Sequence, residues 1–160
     1  MSSVAFFRNL NQGQRGHPST QLLLEAFAVS GARGARGVRG NGTVVFDADD
    51  PEGCLAGILA HLHARCDWQD VAFVRDLAWV ADRADELVVH GDELSVFDGP
   101  PPAVPLAGRG CTVVAAGPGY AITANDLPRT SQATPTLERA LGVPVTSRGA
   151  STIALVAARA

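Results

Sequence analysis

The 160-residue chain contains no lysine; all 13 of its basic side chains are arginine. Genomic base composition explains that choice more simply than function does, because either cation serves on an ordinary surface. Cysteine is scarce. Cys54, Cys66 and Cys111 are odd in number and fit no CxxC spacing, which excludes a disulfide framework and points to reduced thiols in a reducing compartment. The sequon Asn41-Gly42-Thr43 is accordingly read as a turn. No apolar run is long enough to cross a bilayer. The N-terminus lacks the succession of basic region, apolar segment and small-residue cleavage site that marks an export signal. The expected location is the cytoplasm, without a membrane span.

Signatures of chemistry are missing too. There is no nucleophile elbow, no phosphate-binding P-loop and no dinucleotide fingerprint, so no catalytic residue and no cofactor is assigned. Gly117-Pro118-Gly119 precedes a strand-like run and cannot present a helix N-terminus to phosphate. Cys54, His61, His63 and Cys66 look like a metal set, but Cys54 and His61 lie about 10 Å apart along one helix. His63 falls on the opposite side of that helix. Only His63 and Cys66 could share an ion, and two ligands do not make a structural zinc site, so no metal is expected. Gly31–Gly40 repeats glycine every third residue, yet it is too short and proline-free for a collagen helix. It also lacks the aromatic residues that would stack RNA bases.

What is present suffices for a core. Apolar residues make up 46% of the chain and charged residues 18%, the balance of a folded domain rather than a disordered one. The net charge of −3 hides a strong division: residues 1–46 carry +4, residues 47–98 carry −10 and residues 99–160 carry +3. A middle block this acidic repels polyanions and disfavours extended nucleic-acid binding. A small anion could still be held by a local arginine cluster.

Periodicity gives an element order. The apolar run Val4–Phe7 reads as a buried strand, Pro18–Ser30 as a helix ending at Gly31, and Ala35–Arg39 and Thr43–Asp47 as strands around a tight turn at Gly40-Asn41-Gly42. Asp50 and Pro51 are a capping residue and a first-turn proline for a helix reaching to about Cys66. Strand Val71–Val74 closes the unit. Asp76 is placed to cap a helix carrying Leu77, Val80, Ala81 and Ala84 on one stripe. Trp79 falls off that stripe and is read as joining subdomains or a partner subunit. Further strands are expected at Leu94–Phe97, Thr112–Ala116 and Tyr120–Thr123, the last two forming a hairpin, with helices from Thr134 to Gly142 and over Ser151–Arg159. Gly99–Pro102 is a break. The predicted class is α+β: a ferredoxin-like βαββαβ unit with a trailing helix over residues 1–90, and a smaller interlocked α/β subdomain over residues 91–160.

The right-handed crossover rule makes the first two strands parallel with the third between them. The loop leaving the first strand, Arg8–Gly16, then emerges at the same sheet edge as the Gly40–Gly42 turn, two strand spacings or about 10 Å away. The loop Asp67–Asp70 returns to that edge. Arg8, Asn9, Asn11, Gln12, Gly13, Arg39, Asn41 and Gly42 are therefore the candidate site for a small polar or anionic ligand, because guanidinium and carboxamide groups fix a ligand's orientation. The alternative is that these side chains satisfy loop backbone groups and one another.

Several of the same stretches carry a family likeness. Arg8, Leu10, Asn11 and Gly13 parallel an Arg-Gly-Ile-Asn-Val-Gly-Gly motif, with Asn9, Gln12 and Gln14 departing from it. Gly40-Asn41-Gly42-Thr43 before Val44-Val45-Phe46 parallels Gln-Ser-Gly-Asn before a Val-Val-Phe strand. Phe73-Val74-Arg75, Leu137–Val143 and Thr146-Ser147-Arg148 parallel later markers. Across nearly its full length the chain resembles the bacterial conserved-hypothetical family called domain of unknown function 1697, as a divergent and shortened member. Where that family continues Thr-x-Arg into Asn-Trp-Asn-Thr, this chain has Gly149-Ala150-Ser151-Thr152. The resemblance implies two interlocked α/β subdomains, adds Arg148 to the candidate residues and brings no established reaction.

The functional expectation is a non-catalytic module that binds a small polar or anionic ligand or a protein partner, and that associates as a homo-oligomer. Two alternatives stand beside it: an enzyme using the Arg8/Asn41 edge with His63 or Asp67 as general acid–base, and a purely structural or interaction protein.

Overall fold

Strand β1 (Ser2–Phe7) begins a sheet whose strands are spread over the first half of the chain. The computed structural model describes residues 2–160. The elements that follow β1 are α1 (Thr20–Val29), β2 (Arg33–Gly37), β3 (Thr43–Asp47), α2 (Pro51–His63), β4 (Ala72–Asp76) and α3 (Leu77–His90). After them come β5 (Glu93–Val96), β6 (Leu106–Gly108), β7 (Cys111–Gly117), β8 (Tyr120–Asn125), α4 (Ala133–Leu141), β9 (Thr146–Gly149) and α5 (Ala150–Ala157). The class is mixed α+β, with two antiparallel sheets and five helices among the described residues. The chain divides into two compact units, one reaching to Val80 and including Ala158–Ala160, the other Ala81–Ala157.

In the first unit the strand order is β2-β3-β1-β4 with every pair antiparallel. Strand β3 thus lies between β1 and β2, as the crossover argument requires. Ala5 and Phe7 of β1, Val44 and Phe46 of β3 and Val74 of β4 project to one face, where they pack with Leu23 and Phe27 of α1 and Leu55, Ile58 and Leu62 of α2. Phe27 meets Phe46 and Phe7 edge-on at ring separations of 5.0 and 6.0 Å, and Trp68 meets Phe7 at 5.8 Å. Each such aromatic pair adds about 0.5–1.5 kcal/mol beyond the area it buries.

Local chemistry sets the element ends. The Ser19 hydroxyl accepts from the Leu22 amide, so α1 starts at Thr20 rather than at Pro18. Gly31 follows with φ 89°, a conformation that costs glycine little. Asp50 caps Gly53 with Pro51 in the first turn. Helix α2 stops at His63, three residues short of expectation, where the Arg65 amide donates to the Leu62 carbonyl only three residues back and the last turn tightens. Strand β2 lies two residues earlier than the predicted Ala35–Arg39. Arg39 adopts φ 59°, leaves the strand and enters the turn, while Gly34 with φ 60° accompanies a register break between Arg33 and Arg36. Asp76, read as a helix cap, is the last residue of β4 and stands immediately before α3, which starts at Leu77 as expected.

In the second unit the order is β6-β7-β8-β5-β9. Gly117-Pro118-Gly119 turns β7 into β8 as expected, and Gly142 closes α4 with φ 68°. Phe97, Val113, Ala121, Leu137 and Val145 form its core. Strands β6 and β9 were not anticipated. The first is three residues long, and the second, Thr-Ser-Arg-Gly, has no apolar alternation to betray it.

Candidate functional site

The Arg8–Gly16 loop and the Gly40–Gly42 turn meet directly instead of lying about 10 Å apart, because the turn leads into β3 and β3 pairs with β1 itself. Phe7 donates its amide to the Gly42 carbonyl at 2.8 Å, and Gln12 donates to the Gly40 carbonyl at 3.0 Å. The third segment joins them. The Arg8 amide donates to the Val71 carbonyl at 2.9 Å, the Trp68 amide to Gly16 at 2.9 Å, and the Trp68 indole to the Arg8 carbonyl at 3.0 Å.

The side chains on this edge are turned toward one another. The Asp70 carboxylate accepts from Arg8 Nη1 at 2.8 Å, from Asn9 Nδ2 at 3.1 Å and from the Val71 amide at 2.8 Å. Arg8 and Asp70 expose only 23% and 20% of their side chains. Asn9 holds a left-handed backbone, φ 54°, to make its bond. Gln12 donates to the Thr20 hydroxyl and Thr43 donates to Asn41 Oδ1. The Asn11 amide donates to His17 Nδ1. Gly13, φ 82°, donates to the Pro18 carbonyl. Gly42 is packed so closely that an added Cβ would sit 3.0 Å from Phe7 Cβ and 3.1 Å from Leu10 Cβ.

Neither acid–base candidate is paired with a nucleophile. His63 Nε2 is 2.9 Å from the Asp70 carbonyl and its ring lies against Trp68, while Asp67 packs over Gly16. Arg39 is exposed. Arg148 belongs to the second unit, in β9, where it is buried and donates to the Thr146 hydroxyl and the Ser147 carbonyl. Burial pushes its guanidinium down to about 10, still charged at neutral pH. The structure thus brings eight of the nine candidate residues to one edge and binds most of that edge to itself. Chemically, the edge clamps three chain segments.

A cavity of about 410 Å³ lies at the other end of β1, lined by Ser3, Pro51, Glu52, Val74, Arg75, Asp76 and Trp79. Five residues separate Ser3 from Arg8, or about 17 Å of strand. Ser3 pairs with Phe46 on one side and Asp76 on the other, so its side chain shares the helix-bearing face with Phe46 and Val74. The first turn of α2 stands over that face. Ser3 is 0% exposed, and its hydroxyl has no hydrogen-bond partner among the described residues. Buried polar groups are nearly always paired, which makes this one conspicuous. Strand β4 is the sheet edge here. Arg75 curls around it, donating to the Val74 carbonyl at 2.9 Å and lying 5.9 Å from the Phe73 ring and 5.7 Å from the Trp79 ring. Glu52 and Asp76 are exposed, and neither carboxylate is bonded to another described residue.

Sequence reasoning did not assemble this pocket. Its signals were a serine inside an apolar strand and a tryptophan off the apolar stripe of its helix, and neither indicates a partner by itself. Among the described residues no three His, Cys, Asp or Glu side chains are grouped to hold a metal ion, and no helix is long and apolar enough to cross a membrane.

No protein-family model and no curated protein matches the chain. Among solved structures it is similar to a conserved bacterial protein from Streptococcus pneumoniae. That likeness covers 98% of this chain and 97% of the other, with a TM-score of 0.59 and 13% identity. At that identity the shared property is the fold, an α+β arrangement that runs the length of both chains.

Proposed function

We propose that this protein is a non-catalytic binding module for a small polar ligand, and that its site is the pocket at Ser3 and Trp79 rather than the Arg8 edge. The observation carrying this reading is the buried Ser3 hydroxyl, without a hydrogen-bond partner among the described residues, on a residue that lines a cavity. A buried hydroxyl without a hydrogen bond costs about 1–3 kcal/mol, a cost that a ligand's polar group would relieve. At the Arg8 edge the polar groups of Arg8, Asn9, Gln12 and Asn41 are already matched to protein partners. This favours a structural role for that loop over binding and over the enzyme reading.

Membership of the family called domain of unknown function 1697, as a divergent and shortened member, is part of the same proposal. Its support is that the two N-terminal stretches carrying the resemblance, Arg8–Gly13 and Gly40–Thr43, touch through Gln12 and Gly40. A cytoplasmic location is supported by three free thiols, Cys54, Cys66 and Cys111.

The test is a thermal-shift screen of small polar metabolites against the wild type, Ser3→Leu and Arg8→Gln. Ligands that stabilise the wild type and Arg8→Gln but not Ser3→Leu support the pocket. The opposite pattern returns the site to the Arg8 edge.

A further inference from the structure

The chemistry of the pocket walls selects among polar ligands, and this step rests on the reading of the pocket as a ligand site. We infer that the pocket takes a small organic amine in its protonated form, with an apolar body. A helix N-terminus ordinarily attracts anions through its unpaired amides and its dipole. At α2 that attraction is reduced. Pro51 has no amide hydrogen, the Gly53 amide is taken by the Asp50 carboxylate, and Glu52 adds a negative charge to the same turn.

The cation in the lining is committed elsewhere. The Arg75 guanidinium spreads between the Phe73 and Trp79 rings and donates to its own strand's edge carbonyl, so it forms a wall. The acceptors that remain are Glu52 and Asp76, one on the α2 turn and one directly across the strand pair from Ser3. The lining therefore carries two carboxylates against one guanidinium, a net charge of −1.

An ammonium group has three donors and no acceptor, which suits two carboxylates and a hydroxyl oxygen. Val74, Pro51 and the Trp79 ring supply the apolar walls. The volume lies at the small end of ligand pockets, which span about 300–1,000 Å³.

The experiment is a heteronuclear NMR titration of the full chain, reading the indole cross-peaks of its two tryptophans, with Trp79→Phe assigning them. The probes are phenethylammonium, its neutral isostere 2-phenylethanol and the anion 3-phenylpropionate. Phenethylammonium is expected to shift the Trp79 peak saturably and leave Trp68, buried against Phe7, unmoved. The alcohol should bind about tenfold more weakly, on the scale of one or two screened charge-assisted hydrogen bonds. The anion should not bind. Glu52→Gln with Asp76→Asn should lower amine affinity to that of the alcohol, since both side chains are exposed and their neutral forms fit the same fold.

Equal or tighter binding of the alcohol or the anion at Trp79 would overturn the amine assignment and leave the pocket standing. Undiminished amine binding by the double variant would remove the two carboxylates from the inference and overturn it. If no probe moves Trp79 more than Trp68 at millimolar concentration, both the amine assignment and the pocket reading fall.

Discussion

Replacing Asp70 with alanine should destabilise the first unit by about 2–4 kcal/mol, the sum of three charge-assisted bonds discounted for partial solvent screening. The carboxylate holds Arg8, Asn9 and the Val71 amide at 2.8, 3.1 and 2.8 Å. Its loss also leaves the Arg8 guanidinium, 23% exposed, without its carboxylate partner. Asp70→Asn keeps one acceptor oxygen and should cost about 1–2 kcal/mol. A double-mutant cycle with Arg8→Gln should return a coupling of about 1 kcal/mol, appropriate to a partly buried pair. Both tryptophans, Trp68 and Trp79, lie in the first unit, so their fluorescence during urea unfolding reports on that unit. With a slope of about 2 kcal/mol/M the alanine variant's midpoint falls by about 1–2 M. A change below about 0.5 kcal/mol, the scatter of ordinary surface substitutions, would refute the clamp.

Ser3→Ala should stabilise the protein by about 1–3 kcal/mol, because it removes a buried hydroxyl without a partner; a lowered melting temperature would contradict the pairing argument. Gly42→Ala should destabilise by at least about 1–3 kcal/mol from its left-handed backbone alone. The contacts at 3.0 and 3.1 Å add to that, and circular-dichroism melts would show the loss. Arg148→Met tests a buried charge. Burial lowers the folded-state value to about 10, below the value in the unfolded chain. Between those values the unfolded chain holds a proton that the folded chain has released, so this group's contribution to stability is lowest below about pH 10 and rises with pH through that window. The methionine variant should lack the rise, and parallel stability–pH curves for the two proteins would count against it.

Much of the architecture was legible because it depends on neighbours in sequence. Asp50-Pro51 and Gly142 mark helix ends within four residues of the groups they cap, and Gly117-Pro118-Gly119 turns a hairpin locally. The misses have local causes as well. Arg39 carries no signal that its backbone is left-handed, so the expected strand runs two residues beyond β2. Strand β9 exposes no alternating pattern because two of its buried side chains, Thr146 and Arg148, are polar. At the candidate site the loop and the turn share one sheet edge as topology requires, but neither their direct contact nor the partner that occupies Arg8 is legible in those stretches.

The sequence by itself thus determined the α+β class, the order of most elements and the placing of the Arg8 loop and the Gly40–Gly42 turn at one sheet edge. Those follow from periodicity, caps and the handedness of crossovers, all of which are properties of short stretches. Only the tertiary structure decided that Asp70, 62 residues away, neutralises Arg8, and that the Ser3 hydroxyl has no partner among the described residues beneath the start of α2. Pairing and exposure depend on which distant segments arrive at a given point and on how much water they exclude. Neither quantity is carried by a residue or by its neighbours in the chain.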